Sequence, residues 1–321
     1  MSKIAFVFSG QGAQYSGMGQ SLYEGSVVTQ QVMEQFEQLR PGTLQQCFQG
    51  SPEELKDTRN TQPTIFAVSM GAAEALKAQG IMPDVLAGFS LGEVSALTFG
   101  GGFSYRDGFE TVIKRSELMA AATEAMSMGE NPITSKMVAV LKLTANQVEE
   151  IAGQFTQVYP VNYNCPGQTV VAGESEELDA FGKVVKEQGG RVLPLKVSGG
   201  FHSPFMTSAA EAFAKVLAET PIKPLQIPVY ANVNGQPYAE QSEKTLTEQM
   251  MQPVRWQATV ENMIADGVRV FIEVGPGKTL KGLIEKCISE DDSNDISVYN
   301  VEDMETLAQC VESLRLTRFL L

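Results

Sequence analysis

Pro83-Asp84-Val85-Leu86-Ala87-Gly88-Phe89-Ser90-Leu91-Gly92-Glu93-Val94-Ser95-Ala96-Leu97 reads as a short buried strand, a tight turn and the opening of a helix. The Gly-x-Ser-x-Gly at its centre is the pattern of a nucleophile elbow, which lifts a serine hydroxyl out of a strand-to-helix turn. Gly88 and Gly92 lack side chains where strand and helix must approach, so Ser90 can be held exposed under strain. A serine is a poor nucleophile until a base takes its proton. The chain has one histidine, His202, so a histidine base can only be that residue. The competing reading is a chance glycine pair around an ordinary serine, with His202 in the core. The strand–turn–helix context favours the elbow.

Outward from the elbow, strands and helices alternate. Ile4–Phe8 reads as a buried parallel strand ending in the loop Ser9–Gln14, and helical patterns follow to Leu39, where Pro41-Gly42 breaks them. Gln62-Pro63 introduces an apolar helix, Thr64–Gln79, and a further helix is expected over about Asp107–Ala122. This alternation predicts an α/β fold with a mostly parallel sheet covered on both faces. Ser127–Ser135 reads as a loop. The order then becomes strand (Met137–Leu143), helix (Ala145–Phe155), strands (Tyr159–Tyr163, Thr169–Ala172), helix (Glu176–Gln188) and strand (Arg191–Val197). That is the ferredoxin-like β-α-β-β-α-β order. It predicts a small subdomain over 135–197 inserted into a large domain of 1–134 and 198–321. Strands are expected again at Ile227–Val233 and Val270–Val274.

Composition narrows the function. With 43% hydrophobic and 19% charged residues, the chain can bury a large core. The apolar run Ile4–Phe8 is too short for a signal peptide, and no stretch approaches the roughly 20 apolar residues of a membrane span. Cys47, Cys165, Cys287 and Cys310 are scattered without a CxxC pair, which points to reduced thiols in a cytoplasmic protein and against a disulfide framework or zinc site. A net charge of −14 makes nucleic acid an unsuitable partner. An acidic partner would need a local basic patch, for which Lys183, Lys186, Arg191 and Lys196, or Lys278, Lys281 and Lys286, are the candidates. Either set also fits a plain solvated face.

Two glycine-rich stretches imitate nucleotide sites and fail. Gly10-Gln11-Gly12 would need glycine at Tyr15, and Gly275-Pro276-Gly277-Lys278-Thr279 would need its first glycine at Ile272. What Gly10-Gln11-Gly12 offers is a strand-end turn whose amides can approach an oxyanion, beside the amide of Leu91.

A longer ordered set is specific. It runs through Phe8–Gly12, Asn60-Thr61-Gln62-Pro63, Gly88–Glu93, Arg115, Val161-Asn162-Tyr163-Asn164 and Pro166-Gly167-Gln168. Phe201-His202-Ser203, Gln249, Pro253-Val254-Arg255-Trp256 and Glu273–Lys278 complete it. In these motifs, over almost its whole length, the chain resembles the stand-alone malonyl-CoA:acyl carrier protein transacylases. The resemblance implies an α/β-hydrolase-like domain with the ferredoxin-like insertion and a site in the cleft between them. It implies Ser90 as nucleophile and His202 as base, oriented by main-chain carbonyl near Gln249 rather than by an aspartate. It further implies Gln11 and Leu91 as the oxyanion hole, Gln62 and Asn162 as site-lining residues, and Arg115 as partner of the malonyl carboxylate. A guanidinium suits that role because it stays charged and grips a carboxylate two-pronged. Without the resemblance, Arg115 on an amphipathic helix would be read as a surface charge.

The implied partners are malonyl-CoA, as substrate, and an acyl carrier protein, for fatty acid or polyketide synthesis. No resident cofactor, metal or membrane is implied, and a monomer is expected. The chain departs from the family at Phe89, where histidine or glutamine is usual, and at Ser9, where proline is common. Phe201 agrees with members that take malonyl rather than α-methylated units. Two rivals stand beside this reading. One is a serine esterase or thioesterase whose triad acid would be Asp107 or Asp179, between serine and histidine in chain order. The other is a non-catalytic docking protein.

Overall fold

The computed structural model describes residues 2–129, 132–239 and 242–319. Among them the strands are β1 (Lys3–Phe8), β2 (Val85–Gly88), β3 (Ser135–Leu141), β4 (Val158–Cys165), β5 (Gln168–Glu174), β6 (Arg191–Pro194), β7 (Val229–Tyr230), β8 (Val268–Val274) and β9 (Ser297–Val301). They form a parallel sheet of order β7-β2-β1-β8-β9 and an antiparallel sheet of order β4-β5-β3-β6.

The apolar run of β1 is continuous because both faces of its sheet are covered. Ile4, Phe6 and Phe8 enter one apolar cluster, while Ala5 and Val7 enter another. Side chains alternate across a strand, so the two clusters are the two sides of the sheet. In register, Phe8 pairs with Gly88. The carboxyl ends of β1 and β2 therefore lie side by side, and the Gly10-Gln11-Gly12 loop leaves the sheet next to the Ser90 turn. That edge is where open parallel sheets hold ligands.

The antiparallel sheet has the expected β-α-β-β-α-β order. Val138, Val140 and Val171 on one face pack with Ile151, Phe181 and Val185 of the helices Ala145–Ala152 and Ser175–Glu187. Met137, Ala139, Val170 and Ala172 on the other face join the cluster that holds Phe6 and Phe8. Two backbone bonds tie β4 to the larger unit: Val254 N–H to the Val161 carbonyl (2.8 Å) and Tyr163 N–H to the Val254 carbonyl (2.9 Å).

Several bounds differ from the sequence reading. The helix expected to start at Thr64 spans Thr58–Ala78, because Asp57 caps it by accepting the Arg59 amide, and Pro63 sits inside. A proline that early removes one bond without ending the helix. The helix expected over Asp107–Ala122 spans Tyr105–Met128, capped by Ser104, and runs into the stretch read as loop. Residues 130 and 131 of that loop lie outside the described ones. The strand expected over Ile227–Val233 narrows to Val229–Tyr230, since the chain turns after Ala231, where Gly235 N–H reaches the Ala231 carbonyl at 2.8 Å. Edge strand β9 was not anticipated, although Ser297-Val298-Tyr299-Asn300-Val301 has strand composition.

Candidate active site

At the elbow, Ser90 takes φ 56° and ψ −110°, a conformation that L-residues rarely adopt. The glycines make it possible. A Cβ on Gly88 would lie 1.9 Å from the Gly92 carbonyl, and one on Gly92 would lie 2.2 Å from the Phe8 oxygen. Both clashes are with backbone, which cannot step aside. Gly88→Ala should therefore destabilise the fold by about 3 kcal/mol or more, read as a lowered midpoint in a denaturant melt. An unchanged midpoint would mean that the close packing of strand on helix is not needed.

Ser90 Oγ lies 2.7 Å from His202 Nε2. On the far side of the ring, His202 Nδ1 lies 2.7 Å from the Gln249 carbonyl oxygen. A carbonyl can only accept, so Nδ1 carries the proton and Nε2 of the neutral ring is free to receive one from Ser90. His202 is itself at φ 60°. Burial, and then the charge of Arg115, hold its imidazole down at about 4. An ordinary histidine titrates near 6.5; the desolvated site moves this one well below.

Arg115 is fully buried at the middle of its helix, not on the surface. Its Nη1 donates to Gln62 Oε1 (2.7 Å), and its Nη2 donates to Gln249 Oε1 (2.8 Å) and to Ser90 Oγ (3.2 Å). Nε has no partner. The two closest acceptors are neutral amides, which aim the guanidinium without cancelling its charge. Burial lowers its pKa to about 10, so it stays cationic at neutral pH. Among the described residues it makes no ion pair within 4.0 Å. Glu93, on the far side of Gln249, acts on this cation only through space, and a buried cation without a direct ion-pair partner is costly unless something anionic comes to meet it.

Leu91 is the first residue of the helix Leu91–Phe99, so its amide has no acceptor within the helix. Gln11 sits on the facing loop and donates from Nε2 to Thr58 Oγ1 at 3.3 Å. Gln11, Phe89, Asn162, Asn164, Leu280 and Leu283 line a cleft of about 200 Å³ between the two sheets. Phe89 packs on Trp256, ring centroids 5.6 Å apart. The side-chain oxygens of Asn162 and Asn164 are buried without a partner. Phe201, next to His202, is buried in the main cluster. A larger groove of about 480 Å³ runs along the helix Met304–Phe319 between Leu307, Val311 and Leu316, and contains none of these residues.

Neither rival acid reaches the histidine. Asp107 accepts from the Ser104 hydroxyl at its helix start (2.7 Å), and Asp179 is exposed on the helix Ser175–Glu187. Sequence reasoning missed Asn232, Glu93 and Tyr238. Asn232 Oδ1 accepts the Ser90 N–H (2.7 Å) and its Nδ2 donates to the Gly88 carbonyl (2.6 Å). Glu93, fully buried, accepts from Tyr238, Asn232 N–H and Gln249. A carboxylate inside the apolar stretch Leu91–Leu97 was the available signal. Among the described residues no helix is long and apolar enough to cross a membrane.

The acyl transferase domain family matches residues 5–310. The malonyl CoA-acyl carrier protein transacylase of Bacillus subtilis (strain 168) is 38% identical, covering 98% of this chain and 98% of its own. Among solved structures, the malonyl CoA-acyl carrier protein transacylase from Clostridium perfringens superposes with a TM-score of 0.91 at 35% identity, over 99% of both chains. A malonyl-transacylase solved in complex with its type II PKS acyl-carrier protein is similar too. It has a TM-score of 0.89 at 33% identity, covering 97% of this chain and 100% of that one.

Proposed function

Because the chain belongs to the acyl transferase domain family, and is an acyltransferase, we propose that it moves malonyl from coenzyme A to the phosphopantetheine thiol of an acyl carrier protein. The product would feed fatty acid or polyketide synthesis. The observation that carries this reading is Arg115, a buried guanidinium whose Nη2 is 3.2 Å from the Ser90 hydroxyl. A malonyl group joined to Ser90 presents a free carboxylate on a short arm, and a guanidinium is the side chain shaped to receive it. An acetyl group offers nothing there.

Ser90 Oγ attacks the thioester carbonyl while His202 Nε2 takes its proton. The amides of Leu91 and Gln11 receive the charge that develops on the carbonyl oxygen. Coenzyme A leaves as its thiol, taking the proton from His202, and a malonyl-serine ester remains. The carrier thiol then gives its proton to the same nitrogen and attacks the ester, a ping-pong cycle. The unpartnered oxygens of Asn162 and Asn164 suit the amide N–H groups of a pantetheine arm lying in the cleft. Residues 135–197 would act as the inserted unit that closes this cleft. The test is a time course with malonyl-CoA and a holo carrier protein. Malonyl-carrier thioester should accumulate faster than free malonate, whereas a hydrolase would release malonate whether or not the carrier is present.

His202→Ala should slow transfer on the order of 10²-fold or more. The base must be neutral to act, and burial holds its pKa near 4. The acid limb of kcat/KM assigned to His202 should therefore fall near 4, not 6.5. Arg115→Ala removes a neighbouring charge and should move that limb upward. A limb that stays put in the Arg115 variant would contradict the electrostatic coupling of the two residues.

A further inference from the structure

Around Gln249 the hydrogen bonds leave one arrangement. Its Nε2 group has two acceptors, the Ser90 carbonyl at 2.7 Å and Glu93 Oε2 at 3.1 Å. Both of its hydrogens are used, so Oε1 is turned to Arg115 Nη2 at 2.8 Å. With the amide reversed, Oε1 would face a carbonyl and a carboxyl oxygen, and the NH2 group would face the N–H bonds of a guanidinium. Glu93 Oε2 also accepts the Asn232 N–H at 3.0 Å, and the Asn232 side chain holds the Ser90 N–H and the Gly88 carbonyl. The Ser90 peptide is thus gripped at both ends, N–H by Asn232 and carbonyl by Gln249, with both grips meeting on one carboxyl oxygen. Glu93, Asn232 and Gln249 are each nearly inaccessible to solvent, so water is not a ready substitute.

We propose that Glu93 is a positioning residue that sets acyl-group selectivity, by orienting the Gln249 amide so that Arg115 is held at Ser90, while Asn232 holds the strained Ser90 peptide for attack. Glu93 touches no substrate; it acts through Gln249. The inference rests on the reading of Arg115 as the malonyl-carboxylate partner. The two arms of the clamp leave different signatures. Loss of the Glu93–Gln249 arm loosens the Ser90 carbonyl and frees Arg115, so it slows both acyl groups but malonyl more. Loss of the Asn232 arm tilts the nucleophile and penalises every acyl group alike.

The test compares kcat/KM for malonyl-CoA and acetyl-CoA in wild type and in Glu93→Ala, Gln249→Met, Asn232→Ala and Arg115→Ala, with a holo carrier protein as acceptor. Glu93→Ala should lower the malonyl-to-acetyl ratio about tenfold, the size of one lost hydrogen bond to a charged group. Gln249→Met keeps the main-chain carbonyl for His202 but deletes the amide and with it the hold on the Ser90 carbonyl, so both substrates should slow while the ratio falls similarly. Asn232→Ala should slow both substrates about tenfold with the ratio held. Glu93→Gln keeps an acceptor oxygen for Gln249 and should restore most of the ratio. If Glu93→Ala does not fold, Gln249→Met decides. An Arg115→Ala variant with collapsed selectivity, beside Glu93→Ala or Gln249→Met with the wild-type ratio, overturns the inference alone. An Arg115→Ala variant with the wild-type ratio overturns the functional reading beneath it.

Discussion

Ser90→Ala should stop transfer, with the rate falling on the order of 10⁴-fold or more, as when the nucleophile of a serine enzyme is removed. The fold should survive. The elbow is made by Gly88 and Gly92, where an added Cβ would fall 1.9 and 2.2 Å from neighbouring backbone. The Ser90 peptide is held through its own N–H and carbonyl, by Asn232 and Gln249, and not through the hydroxyl. Alanine keeps every one of those groups. The variant should melt within a few degrees of wild type while showing no transfer from malonyl-CoA. Substantial residual transfer by a well-folded variant would remove Ser90 from the mechanism.

Arg115→Ala should weaken malonyl-CoA far more than acetyl-CoA. Removing one partner of a buried, charge-assisted pair costs about 2–5 kcal/mol, so the preference for malonyl should drop at least about tenfold. The residue is fully buried and its close partners, Gln62 and Gln249, are neutral. Neither of these neutral amides cancels its charge. Arg115→Lys should recover only part of the preference, since an ammonium lacks the two-pronged fork. If kcat/KM for the two thioesters falls in proportion, the guanidinium serves packing and not recognition.

The parallel sheet and the elbow were legible because their physics is local. A run buried on both faces, Ile4–Phe8, and a glycine-flanked serine between strand and helix leave few alternatives. The order of the smaller sheet was legible for the same reason, through alternating apolar patterns between turn residues. Arg115 was not. Its helix reads as amphipathic, and only the packing against Gln62 and Gln249 reveals that this arginine points inward. Asn232 was hidden inside a stretch that reads as strand, because nothing local says that the chain leaves the sheet after Ala231 to reach the elbow. Pro63 misplaced a helix start, since a proline near the first turns costs one bond and Asp57 offers a better cap. The titration of His202 could not be read from sequence either; it depends on burial and on a cation more than 80 positions away along the chain.

If malonyl passes through an ester on Ser90, the mass of the intact protein after mixing with malonyl-CoA must show it. Wild type should gain one malonyl increment, absent from Ser90→Ala, and a holo acyl carrier protein should remove it as malonyl-carrier forms. An increment that persists in Ser90→Ala, or one on wild type that the carrier thiol cannot discharge, would contradict it.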